Sequence, residues 1–169
     1  MVFQDADSQI VGETVREDVA FGPGNLGLDA AVVDRRTDLA LEKVGLSHKA
    51  DVSPHLLSGG EKRRLAIAGV LAMEPRVIVF DEPFASLDYP GIRQVLQHIL
   101  DLHQSGHTIV VTTHDLEKII AHADRLVLMQ NGKIIRDGNP QEISSYLEDY
   151  GVRQPCAYRM GKEAESWLN

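Results

Sequence analysis

The sequence predicts an α/β fold with a mostly parallel sheet flanked by helices, and two observations predict it. From Arg76 onward, strand-length apolar runs alternate with helical patterns: RVIVF at 76–80, an amphipathic stretch from Pro90, then the β-branched TIVVTT at 108–113. Such alternation implies right-handed crossovers and parallel strands. Polar groups stand at the carboxyl ends of those strands, Asp81 and Glu82 after the first and His114 after the second. Ligands of parallel sheets bind outside that end.

The chain opens on Val2 to Gln4, a short extended stub that begins as though mid-strand and runs into a polar turn at Asp5 to Ser8. Thr14 to Glu17 reads as a capping box, hydroxyl first and glutamate three residues later, opening a helix to about Phe21. The next stretch, GPGNLG at 22–27, matches G-x-G-x-x-G, but a helical pattern precedes it where the dinucleotide fingerprint needs a strand. Its outer glycines also have P-loop spacing, yet Leu28 and Asp29 stand where Lys and Ser or Thr are required. It is read as a turn-rich connector between helices. Asp29 opens a second helix to about Val44, ended by Gly45, and Lys49 to Leu56 is irregular around Pro54.

A helix follows Ser58, then the strand at 76–80. The next helix starts at Pro90, with Ile92, Val95, Leu96, Ile99 and Leu100 as its buried stripe, and Gly106 stops it. Beyond His114, Asp115 caps a short helix through Ala121. Arg125 to Met129 is a strand, and Asn131-Gly132 is the type I′ hairpin signal into Lys133 to Arg136. Asn139 and Pro140 start a last helix to about Leu147. Residues 150–169 show no period and read as a loosely packed tail; docking of Tyr150, Tyr158 and Trp167 on a partner is the alternative.

Composition narrows the function. A chain of 169 residues is one domain with enough length for a core. With 17 basic against 25 acidic residues the net charge is −8, which argues against a free-standing nucleic-acid binder. An anionic ligand held by backbone N–H groups and a metal stays compatible with that charge. Cys156 is the one cysteine, so no internal disulfide forms and a reducing compartment fits. The apolar runs are too short to span a bilayer, and MVFQDADSQI lacks the segments of a secretory signal. The expectation is a soluble, cytoplasmic protein that reaches a membrane only through a partner.

Three motifs carry chemistry. Ser58-Gly59-Gly60-Glu61 is a capping box, which accounts for Ser58 and Glu61 but not for two glycines in a first helical turn. Bare backbone at a helix N-terminus suits a phosphate. The adjacent carboxylates Asp81 and Glu82 end an apolar, buried strand and point different ways, so one can serve a metal ion while the other orients a water. The bland reading is a strand leaving through a polar turn. His114 is alone among seven histidines at a strand's carboxyl end, where it can donate to a phosphate oxygen. The rest are scattered, and no cysteine pair supports zinc. Lys62 to Arg64 is read as a solvated basic face.

In order, Gln4, LSGGE at 57–61, VIVFDE at 77–82, SLD at 86–88 and His114 resemble the nucleotide-binding subunit of ATP-binding cassette (ABC) transporters. The resemblance covers Val2 to about Leu147, and VREDVAFGPGNLGL with the acidic FQDADSQ is similar to the energy-coupling-factor branch that powers uptake of cobalt, nickel or vitamins. It implies a P-loop NTPase-like core in 1–149, with a small helical subdomain over about 5–56, half of the catalytic core over about 57–149, and a C-terminal tail at 150–169.

It also implies roles. Gln4 is expected at the magnesium site and as a sensor of the membrane partner, and Asp81 on Mg2+. Ser58, Gly59 and Gly60 are expected against the γ-phosphate of ATP held by a second ABC subunit, identical or different. Glu82 is expected to polarise the attacking water, His114 to meet the γ-phosphate, and Asp88 to cross the dimer interface. The family's first third, with its Walker A loop, has no counterpart here, since nothing in the chain fits G-x-x-x-x-G-K-[ST]. That leads to the expectation of a truncated gene, a late start or a fragment, and of poor stability through an unpaired edge on the strand at 77–80.

The function so implied is an ATPase subunit of an importer, peripheral on the inner face of the membrane through a transmembrane subunit. Its own ATP site is expected to be incomplete. The alternative is a non-catalytic remnant that lends its signature motif to an intact paralogue.

Overall fold

The computed structural model describes residues 1–168, so Asn169, the last residue of the predicted tail, lies outside the described residues. The chain divides into two compact units, Met1–Thr112 and Thr113–Asn169.

In the first unit, helix α1 (Val15–Asn25) begins at a complete capping box, Thr14 Oγ1 accepting the Glu17 N–H and the Glu17 carboxylate accepting the Thr14 N–H. Asp18 is buried and accepts the N–H groups of Val11 at 2.7 Å and Gly12 at 3.0 Å. A Cβ at residue 12 would come within 2.3 Å of the Asp18 nitrogen, so glycine is required there.

Helix α1 also runs further than its sequence suggests, through Pro23 to Asn25 rather than ending near Phe21. Near a helix end Pro23 costs few bonds, the Asn25 amide donates to the Phe21 carbonyl at 2.9 Å, and Gly27 at φ +70° makes the left-handed exit. GPGNLG is therefore a helical last turn and its exit.

Helix α2 (Ala30–Lys43) follows, with Asp29 at the N-cap position but making no side-chain cap bond, and Gly45 at φ +69° beyond its end. Helix α3 (Gly59–Leu71) packs with α1 and α2, burying Val15, Val19, Leu41 and Leu65.

Strand β1 (Val77–Asp81) is joined through helix α4 (Tyr89–Gln104) to strand β2 (Thr108–Thr112), and the strands pair in parallel from Val77↔Thr108 to Asp81↔Thr112. Helix α4 buries Ile92, Val95, Leu96, Ile99 and Leu102, while Leu100 is only half-buried. The stripe continues three residues on from Ile99 rather than one, as helical periodicity favours. On β1's other edge, Val2 forms a parallel bridge to Phe80, its N–H donating to the Val79 carbonyl at 2.7 Å and its carbonyl accepting the Asp81 N–H at 2.9 Å.

The parallel pair is covered on one face only. Ile78 and Phe80 are buried, whereas Val77 is 52% and Val110 43% exposed on the opposite face, beside half-buried Val79. The strand expected to be buried is corrected to one buried on a single face, since alternate side chains point to opposite faces and only Ile78 and Phe80 lie on the covered one.

In the second unit, the short helix expected after Asp115 is two single 3₁₀ turns, Leu116–Lys118 and Ile120–His122. Asp115 pairs with Lys118 instead of capping. Strands β3 (Leu126–Gln130) and β4 (Lys133–Gly138) form the predicted antiparallel hairpin, with Asn131 at φ +50° and Gly132 at φ +73° as a type I′ turn demands. Helix α5 (Pro140–Ser144) is capped by Asn139, which accepts the Gln141 N–H at 2.8 Å, and stops short of Leu147. Tyr150, Val152, Tyr158 and Ala164 pack against a core of Leu116, Ile120, Leu128, Ile143 and Leu147. The stretch read as loosely packed is thus anchored, and it carries helix α6 (Cys156–Arg159).

Candidate functional site

The turn at Ser58 is built by local chemistry. Ser58 Oγ accepts the Glu61 N–H at 3.3 Å and the Glu61 carboxylate accepts the Ser58 N–H at 2.9 Å, so the predicted capping box is complete. The other Glu61 oxygen meets Lys49 Nζ at 2.5 Å. Lys49 above all, then the Ser58 N–H, holds the Glu61 carboxyl down at about 2. Lys49 lies twelve residues upstream, and nothing in its local sequence signals this contact.

Within this turn the glycines have no packing reason. A Cβ at Gly59 or Gly60 would meet nothing within 4 Å. Helix geometry leaves the first N–H groups of α3 without intrahelical acceptors, and the Glu61 N–H is taken by Ser58. What remains is a short bare backbone aimed outward, with the helix dipole behind it. Ser58 and Gly59 are exposed.

At the end of β1 the two carboxylates are differently held. Asp81 is half-buried on the open face of the sheet and accepts the hydroxyl of Thr112, its register partner, at 2.5 Å. Glu82 leaves the strand with φ +43°, a left-handed conformation that costs a non-glycine residue roughly 1–3 kcal/mol. Its backbone is held on both sides: the N–H donates to the Thr112 carbonyl at 2.9 Å, and the carbonyl accepts from Ala85 N–H at 3.1 Å and from Arg63 at 3.4 Å. Ser86 repeats the left-handed conformation at φ +59°. Asp88 caps α4, accepting the Gly91 N–H at 3.0 Å, and a Cβ on Gly91 would lie 2.8 Å from that oxygen.

Gln4 is exposed, two residues beyond the Val2 bridge that ties its strand to β1. His114 is exposed and opens the second unit, two residues past β2. The first unit therefore carries Gln4, Ser58, Gly59, Gly60, Asp81, Glu82 and Asp88, and the second carries His114.

The basic run is not the solvated face its sequence suggests. Lys62 pairs with Asp7 at 2.5 Å, Arg64 reaches Gln94 at 3.4 Å, and Arg63 is buried. Successive helical residues turn by about 100°, which puts Arg63 on the core side with Ile67 and Val70.

Among the described residues no cluster of three or more His, Cys, Asp or Glu could hold a metal ion by itself. Magnesium usually takes one or two protein carboxylates and fills its shell with water and substrate phosphates. Half-buried Asp81, oriented by the Thr112 hydroxyl, fits a single ligand of that kind. No helix among the described residues is long and apolar enough to cross a membrane.

Comparison with known proteins adds a family. The ABC transporter family model matches residues 1–85. The energy-coupling factor transporter ATP-binding protein EcfA of Methanocaldococcus jannaschii is 47% identical over 148 residues, 88% of this chain and 53% of that protein. The cobalt import ATP-binding protein CbiO of Syntrophus aciditrophicus is 48% identical over 160 residues, 93% of this chain and 57% of that protein. The chain thus spans about half the length of the curated relatives it matches. Among solved structures, cbiO1 of Clostridium perfringens, described as part of the ABC transporter complex cbiONQ, superposes with a TM-score of 0.76. It is 36% identical, and the match covers 95% of this chain and 65% of that one.

Proposed function

The chain belongs to the ABC transporter ATP-binding family, and from that premise we propose that it works as an ATP-binding subunit of an importer, coupling ATP hydrolysis to uptake of a metal ion or vitamin. The observation that carries this reading is the bare turn at Ser58 to Gly60. A Cβ at either glycine would meet nothing within 4 Å, so packing does not require them, whereas a phosphate approaching the bare backbone would.

In the proposed mechanism the subunit stands head to tail with a second ABC ATPase subunit, identical or different. Ser58, Gly59 and Gly60 of one contact the γ-phosphate of ATP held by the other, while Asp88 lies at their interface. Asp81, with Gln4, would hold a magnesium ion, which when bound would supply charge neutralisation on the phosphate oxygens. Glu82, on its fixed left-handed backbone, orients and polarises the attacking water, and His114 donates to the γ-phosphate. The subunit sits on the inner face of the membrane through a transmembrane partner.

A specific observation favours a second reading. The turn at Ser58 is assembled wholly within this chain, from the Ser58–Glu61 capping box and two glycines that packing does not require. In that reading the chain lends its signature turn to an intact ABC subunit and hydrolyses nothing itself.

ATP binding and hydrolysis, measured for the chain alone and mixed with an intact ABC subunit, separate the two. If the chain is itself the ATPase, Glu82→Gln lowers the rate by roughly 10²–10⁴-fold. If it lends its turn, ATP binding by the chain alone is undetectable and the partner's hydrolysis falls with Ser58→Ala but not with Glu82→Gln. Hydrolysis indifferent to both substitutions discards both readings.

A further inference from the structure

Arg63 is charged, 3% exposed, and faces inward from the helix that starts at Ser58. A buried guanidinium is retained only where its N–H groups find acceptors. Here they find two backbone carbonyls far apart in sequence: Nη1 donates to Phe3 O at 2.5 Å and Nη2 to Glu82 O at 3.4 Å. Burial lowers its pKa, with the Asp5 carboxylate acting in the opposite direction. One side chain thus touches the residue before Gln4, the backbone of Glu82, and, through its own helix, the Ser58 turn.

The carbonyls it holds are not arbitrary. Glu82 is in the left-handed region at φ +43°, where the surrounding structure must supply what local preference withholds. Its N–H is fixed by Thr112 and its carbonyl by Ala85, and Arg63 is the second donor to that same oxygen. The Phe3 carbonyl lies one residue past the Val2 bridge that orders the start of the chain.

We propose that Arg63 is a positioning residue, which holds the Phe3 and Glu82 carbonyls from the signature helix and so fixes the glutamine-bearing segment and the water-polarising carboxylate as one body with the Ser58 turn. The assignment of Gln4 and Glu82 rests on the function proposed above; the clamp itself does not. A lysine fits poorly as a replacement, because its point charge cannot fork between two carbonyls as a planar guanidinium does.

The test is backbone hydrogen exchange on the full chain without nucleotide, comparing the parent with Arg63→Met and Arg63→Lys. The reporting amides are Asp81, which donates to the Val2 carbonyl, and Glu82, which donates to Thr112. Arg63→Met keeps the apolar stem, so exchange at these two amides accelerates by about tenfold or more while amides of α2 stay within about twofold. Arg63→Lys keeps a charged donor for the Phe3 carbonyl and brings the acceleration back to about threefold.

Unchanged exchange at Asp81 and Glu82 overturns the proposal. So does an equal acceleration in α2, which would mark general loosening, or a lysine variant as fast as the methionine one. Arg63→Gln, a shorter neutral donor, replaces Arg63→Met if the latter does not fold. Because no ATP is present, this result is independent of the Glu82→Gln assay, whose failure would remove the catalytic reading and leave the clamp standing.

Discussion

At the scale of single residues, the site is ordered by side chains whose importance no local pattern reveals. Lys49 is the clearest case. It pairs with Glu61 at 2.5 Å, and the Glu61 carboxyl titrates at about 2, below its usual 4.5. A carboxylate whose folded pKa is depressed adds stability that is present above its unfolded pKa and lost as pH falls through the folded one. The Lys49–Glu61 contribution is therefore complete above about 4.5 and disappears on acidification towards about 2. Lys49→Met is expected to bring the Glu61 pKa back towards 4.5, seen by NMR titration of its carboxyl carbon. The loss in stability at neutral pH is under about 1 kcal/mol, as for other partly exposed pairs. A titration midpoint unmoved by Lys49→Met would show that the Ser58 contacts alone hold the carboxylate.

At the scale of elements, capping decides where helices begin, and it also separates structural from functional roles for Asp88. Its carboxylate caps α4 through the Gly91 N–H, an interaction that asparagine reproduces and alanine does not. Asp88→Ala is expected to cost about 1 kcal/mol in chemical denaturation, and Asp88→Asn much less. An asparagine variant as destabilised as the alanine one would mean that the negative charge, not the cap, matters to the fold. The hairpin is equally dependent on backbone handedness: Gly132 at φ +73° predicts that Gly132→Ala destabilises the second unit by roughly 1–2 kcal/mol. Thermal melting followed at β-structure wavelengths checks this.

At the scale of the whole molecule, the feature that governs behaviour in solution is the open face of the β1–β2 pair. Val77 and Val110 are exposed there, and β1's second edge is bridged by Val2 at its carboxyl end. An apolar face and a partly unpaired edge favour association. The chain produced alone is expected to bind a hydrophobic dye such as ANS and to elute with aggregates in size-exclusion chromatography. The double substitution Val77→Thr, Val110→Thr should reduce both with little change in melting temperature, since neither side chain is buried. A sharply melting monomer that binds no dye would contradict the expectation.

The sequence alone determined the parts whose signals are local: the capping boxes at Thr14 and Ser58, the Asn131-Gly132 turn, the α4 stripe, and the ordered motifs from Gln4 to His114 that identify the family. Each cap, turn and stripe depends on residues within a few turns of one another, and each of the ordered motifs is itself a short local string. Two stretches differ between sequence pattern and structure. The stretch at 22–27 reads as a turn-rich connector, but Pro23 sits in the last turn of α1, where few bonds remain to lose. Lys62 to Arg64 reads as a solvated run, yet Arg63 is buried because the packing of α3 turns that position inward. Asp81 and Glu82 were legible as a strand end. The register with Thr112 and the strained backbone of Glu82 were decided only by tertiary structure, since they require β2 and Arg63, thirty-one residues after Asp81 and nineteen before Glu82, to arrive at the same place.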